Sequence, residues 1–187
     1  NPWNPNGNAG FTPDATMTQV AEGVFNDPAG VYYIYNVAGL TWLSNAVNGT
    51  LPDSRAAAAQ SFDKKTIKLM NDIDLAGIEW TPIGRGSNHF RGTFDGNGKT
   101  IENMTITKRN DDRAALFGTV SYTVVFKNLT IKNANVVCPD FNGDFYGSAL
   151  IGTAYGNVTI ENVDVVDSYI SGNNKVGALI AHDGVMN

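Results

Sequence analysis

The chain has 187 residues, 42% of them hydrophobic and 17% charged, with a formal net charge of −5. That is enough for one sizeable packed domain and too apolar for wholesale disorder. The acidic balance, with Lys64-Lys65 and Lys108-Arg109 as the only paired cations, excludes the basic patch of a nucleic-acid binder, and no apolar run approaches the roughly 20 residues needed to span a bilayer.

Residues 1–35 read as an extended segment leading into the fold. The opening Asn1-Pro2-Trp3-Asn4 has no initiator Met and no signal segment, as expected of a processed or engineered start, so an export signal is taken as already removed. Residues 36–66 read as a helical cap and an insertion. Within "NVAGLTWLSNAVNG", Asn36 can cap a helix start and Gly49 can end it. Leu40, Leu43 and Val47 share one face at i, i+3, i+7, which suits a lid over an open β edge better than a membrane-surface helix, because no basic flank is present. Residues 54–62, "SRAAAAQSF", fit a helical turn or an ordered insertion equally well.

Residues 67–187 carry an internal repeat. The chain holds 22 Asn and 20 Gly, the residues that tolerate positive φ, with Val, Ile, Thr and Tyr between them, which predicts many short strands joined by tight turns. One marker is apolar, Lys or Glu, Asn: Ile101-Glu102-Asn103, Phe126-Lys127-Asn128 and Ile160-Glu161-Asn162. A second is small, Leu, apolar, small: Ala115-Leu116-Phe117-Gly118, Ala149-Leu150-Ile151-Gly152 and Ala178-Leu179-Ile180-Ala181. The step from the second marker to the first is the same in both complete copies, Leu116 to Phe126 and Leu150 to Ile160. The return differs every time, from Ile101 to Leu116, from Phe126 to Leu150 and from Ile160 to Leu179. One half of the repeat is fixed and the other absorbs insertions.

Leu116, Leu150 and Leu179 mark successive copies of unequal length, and Leu129-Ile131 and Val163-Val165 alternate at two, not at three and four. That combination predicts an all-β fold, a right-handed parallel β-helix (β-solenoid) with a short N-terminal capping helix. Asn103, Asn128 and Asn162 are expected to stack as one amide ladder in the left-handed conformation. The competing reading of Asn48, Asn103, Asn128 and Asn157 as glycosylation sequons would place glycans at strands or corners and interrupt that stacking.

"AALFGTV", "GSALIGTAYGNVTIENV" and "VGALIAHDG", with the stretch "IKLMNDIDLAGIEWTPIGRGSNHFRGTFDGNGKTIENMTI" at residues 67–106, resemble the GLUG-motif repeats of bacterial cell-surface proteins. The resemblance covers roughly residues 31–187. The family's leading Gly-Gly-Leu is Ser148-Ala149-Leu150 and Gly177-Ala178-Leu179 here, and its closing Gly is Ala181 in the last copy. The resemblance implies an exported right-handed β-helix, extracellular or on the outer cell surface, often lipid-anchored or part of a larger protein and commonly described as an adhesin. It implies no activity, because the motif is structural.

Catalytic and metal sites are not expected, and no cofactor. Asp72 and Asp74 share a strand face but lead into Gly77, so turn-capping explains them. Asp95-Gly96-Asn97-Gly98 lacks the oxygen spacing of a calcium loop and reads as a corner needing positive φ. Asn110-Asp111-Asp112 reads as a solvated loop. Cys138 is the single cysteine, and neither His89 nor His182 stands in a recognisable catalytic setting beside it. The longest return, "VCPDFNGDFYG", is the candidate ligand-binding loop. Asp140, Phe141, Asp144, Phe145 and Tyr146 combine rings and carboxylates that can hold a sugar or a protein, unless the rings fold back over their own backbone.

The expected function is therefore a non-enzymatic adhesin or interaction module binding a glycan or host surface protein. A carbohydrate-active β-helix enzyme and a plain spacer are the alternatives. The chain stops just after a repeat restarts, so further repeats or a partner are expected to cover that end.

Overall fold

The computed structural model describes residues 11–52, 58–107, 113–137, 145–172 and 174–184. Among them, in chain order, are β1 (Thr18–Ala21), β2 (Val24–Asn26), β3 (Val31–Ile34), the helix α1 (Val37–Asn48), β4 (Thr66–Leu69), β5 (Ile73–Asp74), β6 (Thr93–Glu102), β7 (Thr105–Ile106), β8 (Arg113–Ala114), β9 (Phe117–Lys132), β10 (Asn135–Val137), β11 (Tyr146–Ser148), β12 (Ile151–Val166), β13 (Tyr169–Ser171), β14 (Lys175–Gly177) and β15 (Ile180–Gly184). The largest sheet runs β1-β2-β3-β4-β6-β9-β12-β15, with β5 alongside β6, and two smaller sheets run β13-β10-β7 and β14-β11-β8.

From β3 onward the paired strands are parallel. Three sheets, parallel from β3 onward, wrap one core, so the fold is a β-solenoid of about 4 turns. Phe126 pairs with Ile160, and Ile151 with Ile180, so the two unequal spacings of the repeat are the lengths of two coils. Phe90, Phe94, Phe117, Phe126, Leu129 and Ile131 are buried between coils. The small-Leu-apolar-small marker also has a member one coil upstream. Ile83 bridges Phe117, and Gly118 N donates to Ile83 O at 2.8 Å, so Pro82-Ile83-Gly84 is the same rung in different residues.

The helix forms as its sequence dictates. Asn36 Oδ1 accepts from Gly39 N at 2.9 Å, and Gly49 closes it at φ 70°. Leu40, Leu43 and Val47 are buried in the same core as the first coils. Polar contacts fix its azimuth: Ser44 Oγ donates to Thr81 O at 2.8 Å, Asn48 Nδ2 to Pro82 O at 2.9 Å, and Asn48 Oδ1 accepts from Gly84 N at 3.1 Å. Residues 18–34 do more than lead into the fold. They make an antiparallel meander, β1-β2-β3, whose last strand joins the parallel stack at β4.

The amide ladder is two ladders, not one. Asn162 Nδ2 donates to Asn128 Oδ1 at 3.2 Å, and Asn128 Nδ2 to Asp95 Oδ1 at 3.2 Å. Asn103 belongs to the next corner, where Asn133 Nδ2 donates to Asn103 Oδ1 at 2.6 Å and Asn103 Nδ2 to Asp74 Oδ1 at 2.8 Å. Ile101 accordingly pairs with Ile131, while Phe126 pairs with Phe94. The expected equivalence of Ile101 with Phe126 and Ile160 is thus corrected. Only the short stretch from Leu129 to Lys132 separates the two corners. Apolar-Lys-Asn is written again at Ile131-Lys132-Asn133, so spacing alone cannot tell one corner from the other.

Asn103, Asn128, Asn133, Asn162 and Asp167 all lie at φ between 50° and 59°, where Asn and Asp are the tolerated non-Gly residues. Asp95-Gly96-Asn97-Gly98 is a bulge at the first of these corners, with Asn97 N donating to Asp95 Oδ1 at 2.9 Å. Asp74 caps a turn, its Oδ1 accepting from Ala76 N at 2.9 Å, whereas Asp72 Oδ1 accepts from Thr100 N of β6, one coil on, at 2.8 Å. The bond from Asn103 holds the Asp74 carboxyl below its ordinary pKa. Of the four sequon asparagines, Asn48, Asn103 and Asn128 have their amides committed to these contacts.

Asn128→Ala is expected to cost about 1–2 kcal/mol, from the left-handed backbone and the two lost amide bonds. Asn128→Gly keeps the backbone and loses only the bonds, so its guanidinium midpoint should fall between wild type and Asn128→Ala.

Candidate functional site

Two of the five predicted loop residues are in the described part of the chain; Asp140, Phe141 and Asp144 lie outside it. Phe145, expected as a ligand contact, is instead a core residue with no exposed surface. Gly147 and Gly172 have no side chain, and the Phe145 ring fills the space where either Cβ would stand. Alternation along β11 then turns Tyr146 the other way.

Tyr146 pairs with Arg113 of β8 on one side and Lys175 of β14 on the other, so three coils contribute to one rank. Its ring lies 5.8 Å from the Arg113 guanidinium and 5.0 Å from the Lys175 ammonium. It also stacks on the His182 ring at 4.6 Å between centroids. Tyr146 is itself only 7% exposed, so the rank meets solvent chiefly through the exposed Lys175.

The neighbouring wall comes from β9, β12 and β15, where Thr119, Thr153 and His182 are in register. Arg113 Nε donates to Thr153 Oγ1 at 3.2 Å, and Nη2 reaches the Tyr155 hydroxyl at 3.5 Å. Thr119 Oγ1 and His182 Nδ1 are buried without a hydrogen-bond partner among the described residues. Tyr155 stacks on His89 at 5.7 Å. One rung nearer the start, Arg91 covers the Tyr122 ring at 4.5 Å and donates from Nε to Ser121 Oγ at 3.2 Å. The result is a cation–aromatic strip along the coil axis, each pair worth about 0.5–1 kcal/mol where exposed and more where desolvated.

The strip holds its rings and cations in fixed positions, so it can receive an anionic or hydroxyl-rich group with little loss of side-chain entropy. Among the described residues there is no group of three or more His, Cys, Asp and Glu placed to hold a metal ion. Cys138 lies outside the described residues.

Sequence reasoning reached Tyr146, set His89 and His182 aside for want of a catalytic setting, and missed Arg113 and Lys175. Arg113 stands three residues before Leu116, whereas Tyr146 and Lys175 stand four before Leu150 and Leu179. Arg113 alone therefore falls out of step by one residue, and Tyr146 and Lys175, which keep the spacing, share no residue type that would mark it as a repeat.

Burial, with Arg91 and Arg113 nearby, holds the His89 imidazole below its ordinary pKa of 6.5. The unfolded chain thus binds a proton more readily than the folded one in the window just below pH 6.5. Stability should fall as pH drops through that window and flatten below the folded value. Asp14, Asp27 and Asp74 are lowered from 3.8 and titrate well below it. Melting temperatures between pH 7.5 and 5.5 should therefore slope less in His89→Gln than in wild type.

No family model matches the chain. It is 30% identical over 168 residues to halomucin of Haloquadratum walsbyi, a match covering 88% of this chain and 2% of that protein. It is 30% identical over 93 residues to a protein of Evansella cellulosilytica provisionally named a Gly-rich membrane protein, covering 43% of this chain and 11% of that one. Among solved structures, a Bacteroides ovatus protein provisionally titled an immunoglobulin A1 protease aligns at a TM-score of 0.47 and 16% identity, over 85% of this chain and 63% of that one. The chain thus spans a small fraction of the length of the two sequence relatives, and what it is similar to is a short stretch of each.

Proposed function

We propose that this chain is a non-enzymatic interaction module of a surface protein. In this reading it is an adhesin of the GLUG-repeat kind that works outside the cell and holds a glycan or host surface protein on the strip around Tyr146. The observation that carries the reading is the single rank of Arg113, Tyr146 and Lys175, contributed by three successive coils and backed by parallel rungs. Binding groups are commonly mounted in this way, on loops and faces positioned by a rigid scaffold. The names of the two sequence relatives, halomucin and a Gly-rich membrane protein, support the placement at a surface. No described helix is long and apolar enough to cross a membrane.

A covering body on the last coil belongs to the same reading. Val166 and Val176 are exposed there, and Ile160, Val163, Ile170 and Leu179 are only partly buried, which favours a further coil or a partner lying on them.

The test is a glycan array run beside an unsaturated-uronate absorbance assay on acidic polysaccharides. The expected result is array binding that Lys175→Ala weakens with only the small fall in melting temperature that one lost cation–aromatic pair explains, and a flat absorbance trace. Rising absorbance would make the chain a lyase, and silence in both assays would make it a spacer.

A further inference from the structure

The second amide ladder borders a groove that the strip around Tyr146 does not use. At three successive coils the chain runs Asn103-Met104-Thr105, Asn133-Ala134-Asn135 and Asp167-Ser168-Tyr169. Met104 and Ala134 are buried in the core, which turns the residues on either side of them outward. Asn103, Asn133 and Asp167 make one row. Thr105, Asn135 and Tyr169 make the other, in strand register from coil to coil. Between the rows lies an open groove of about 500 Å³, reaching back to Ala76 and Gly77.

We propose that this groove is a binding site for a neutral, extended glycan of the β-1,4-linked kind, laid along the coil axis with one sugar ring on Tyr169. Rungs of a β-sheet are about 4.8 Å apart. That step is close to the advance of one hexose in an extended β-1,4 chain, so successive sugars, alternately turned over, meet one coil each. The ladder uses one N–H of Asn103 and one of Asn133. Each amide keeps a second N–H, already oriented by the ladder, for a sugar hydroxyl. Tyr169 is 63% exposed, the highest value among the large hydrophobic side chains described, and offers its ring as a flat platform at one end of the groove. The lining includes Asp167 and no Lys or Arg, which favours hydroxyl donors over a polyanion. The two surfaces are therefore of opposite chemistry, and the groove does not depend on the strip.

The test is a titration of the ¹⁵N-labelled chain with cellohexaose, and in parallel with hexagalacturonate, followed by NMR. The expected result is saturable shifts of the side-chain amides of Asn103, Asn133 and Asn135 with cellohexaose, and none there with hexagalacturonate. Tyr169→Ala should weaken cellohexaose at least tenfold with an unchanged melting temperature, and Tyr169→Phe should retain it. Asn135→Ala, at an exposed position, should weaken it as well. Absence of shifts at millimolar cellohexaose would overturn the proposal, as would shifts indifferent to Tyr169→Ala or larger shifts at these amides with hexagalacturonate. Shifts confined to residues around Tyr146 would overturn the groove while supporting the strip, so the two sites fail separately.

Discussion

Phe126→Ala is expected to destabilise the fold by about 3–5 kcal/mol, a large part of the roughly 5–15 kcal/mol typical of a domain. Phe126 sits in the middle of the stack, paired with Phe94 below and Ile160 above. Its ring meets Phe117 edge-on at 4.8 Å and lies 6.2 Å from Phe90. A solenoid is held largely by neighbour-to-neighbour interfaces, so a cavity in a central coil weakens the coil on each side. Ile160→Ala, in the same column but only partly buried, should cost markedly less. Guanidinium unfolding checks both. Equal midpoint shifts for the two variants would show that the column does not carry the core, and a fall in slope for Phe126→Ala alone would show the coils uncoupling.

Gly118→Ala is expected to cost about 2–4 kcal/mol, through overpacking and a weakened rung. A Cβ at Gly118 would press on the carbonyl oxygen of Gly84 in the preceding coil. That oxygen accepts from Thr119 N at 3.0 Å, while Gly118 N donates to Ile83 O at 2.8 Å. Backbone lies on both sides of the clash, so no side chain can rotate out of the way. Gly77 is the control. It has φ +78° and nothing within 4 Å of its missing Cβ, so alanine there should cost only the backbone term, about 1 kcal/mol. If both variants melt alike, close approach between coils is not what the glycine supplies.

These expectations rest on features of unequal legibility in the sequence. The helix could be read residue by residue, because Asn36, Gly49 and the Leu40-Leu43-Val47 stripe act locally. The coil lengths could be read from the spacing of Leu116, Leu150 and Leu179, because parallel pairing returns one environment once per coil. Phe145 could not be assigned, because an aromatic residue in a loop reads the same whether it faces solvent or, as here, fills the slot left by Gly147 and Gly172. Nor could the split of the ladder be seen, since both corners use the same three residue types.

The sequence by itself determined the architecture: alternation at two, a repeat with one fixed half, and Asn at the turns leave few folds besides a capped β-solenoid. Those signals are local or periodic, and each residue carries its own share of them. Only the tertiary structure decided which side chains stand together on the outside. Arg113, Tyr146 and Lys175 belong to three different coils, and Arg113 departs by one residue from the spacing the other two keep. The rows beside Tyr169 exist only once the chain from Thr105 to Asn135, and from Asn135 to Tyr169, is closed into coils. Stacking sets what is adjacent along the axis, and a linear chain holds no record of that until the rungs are paired.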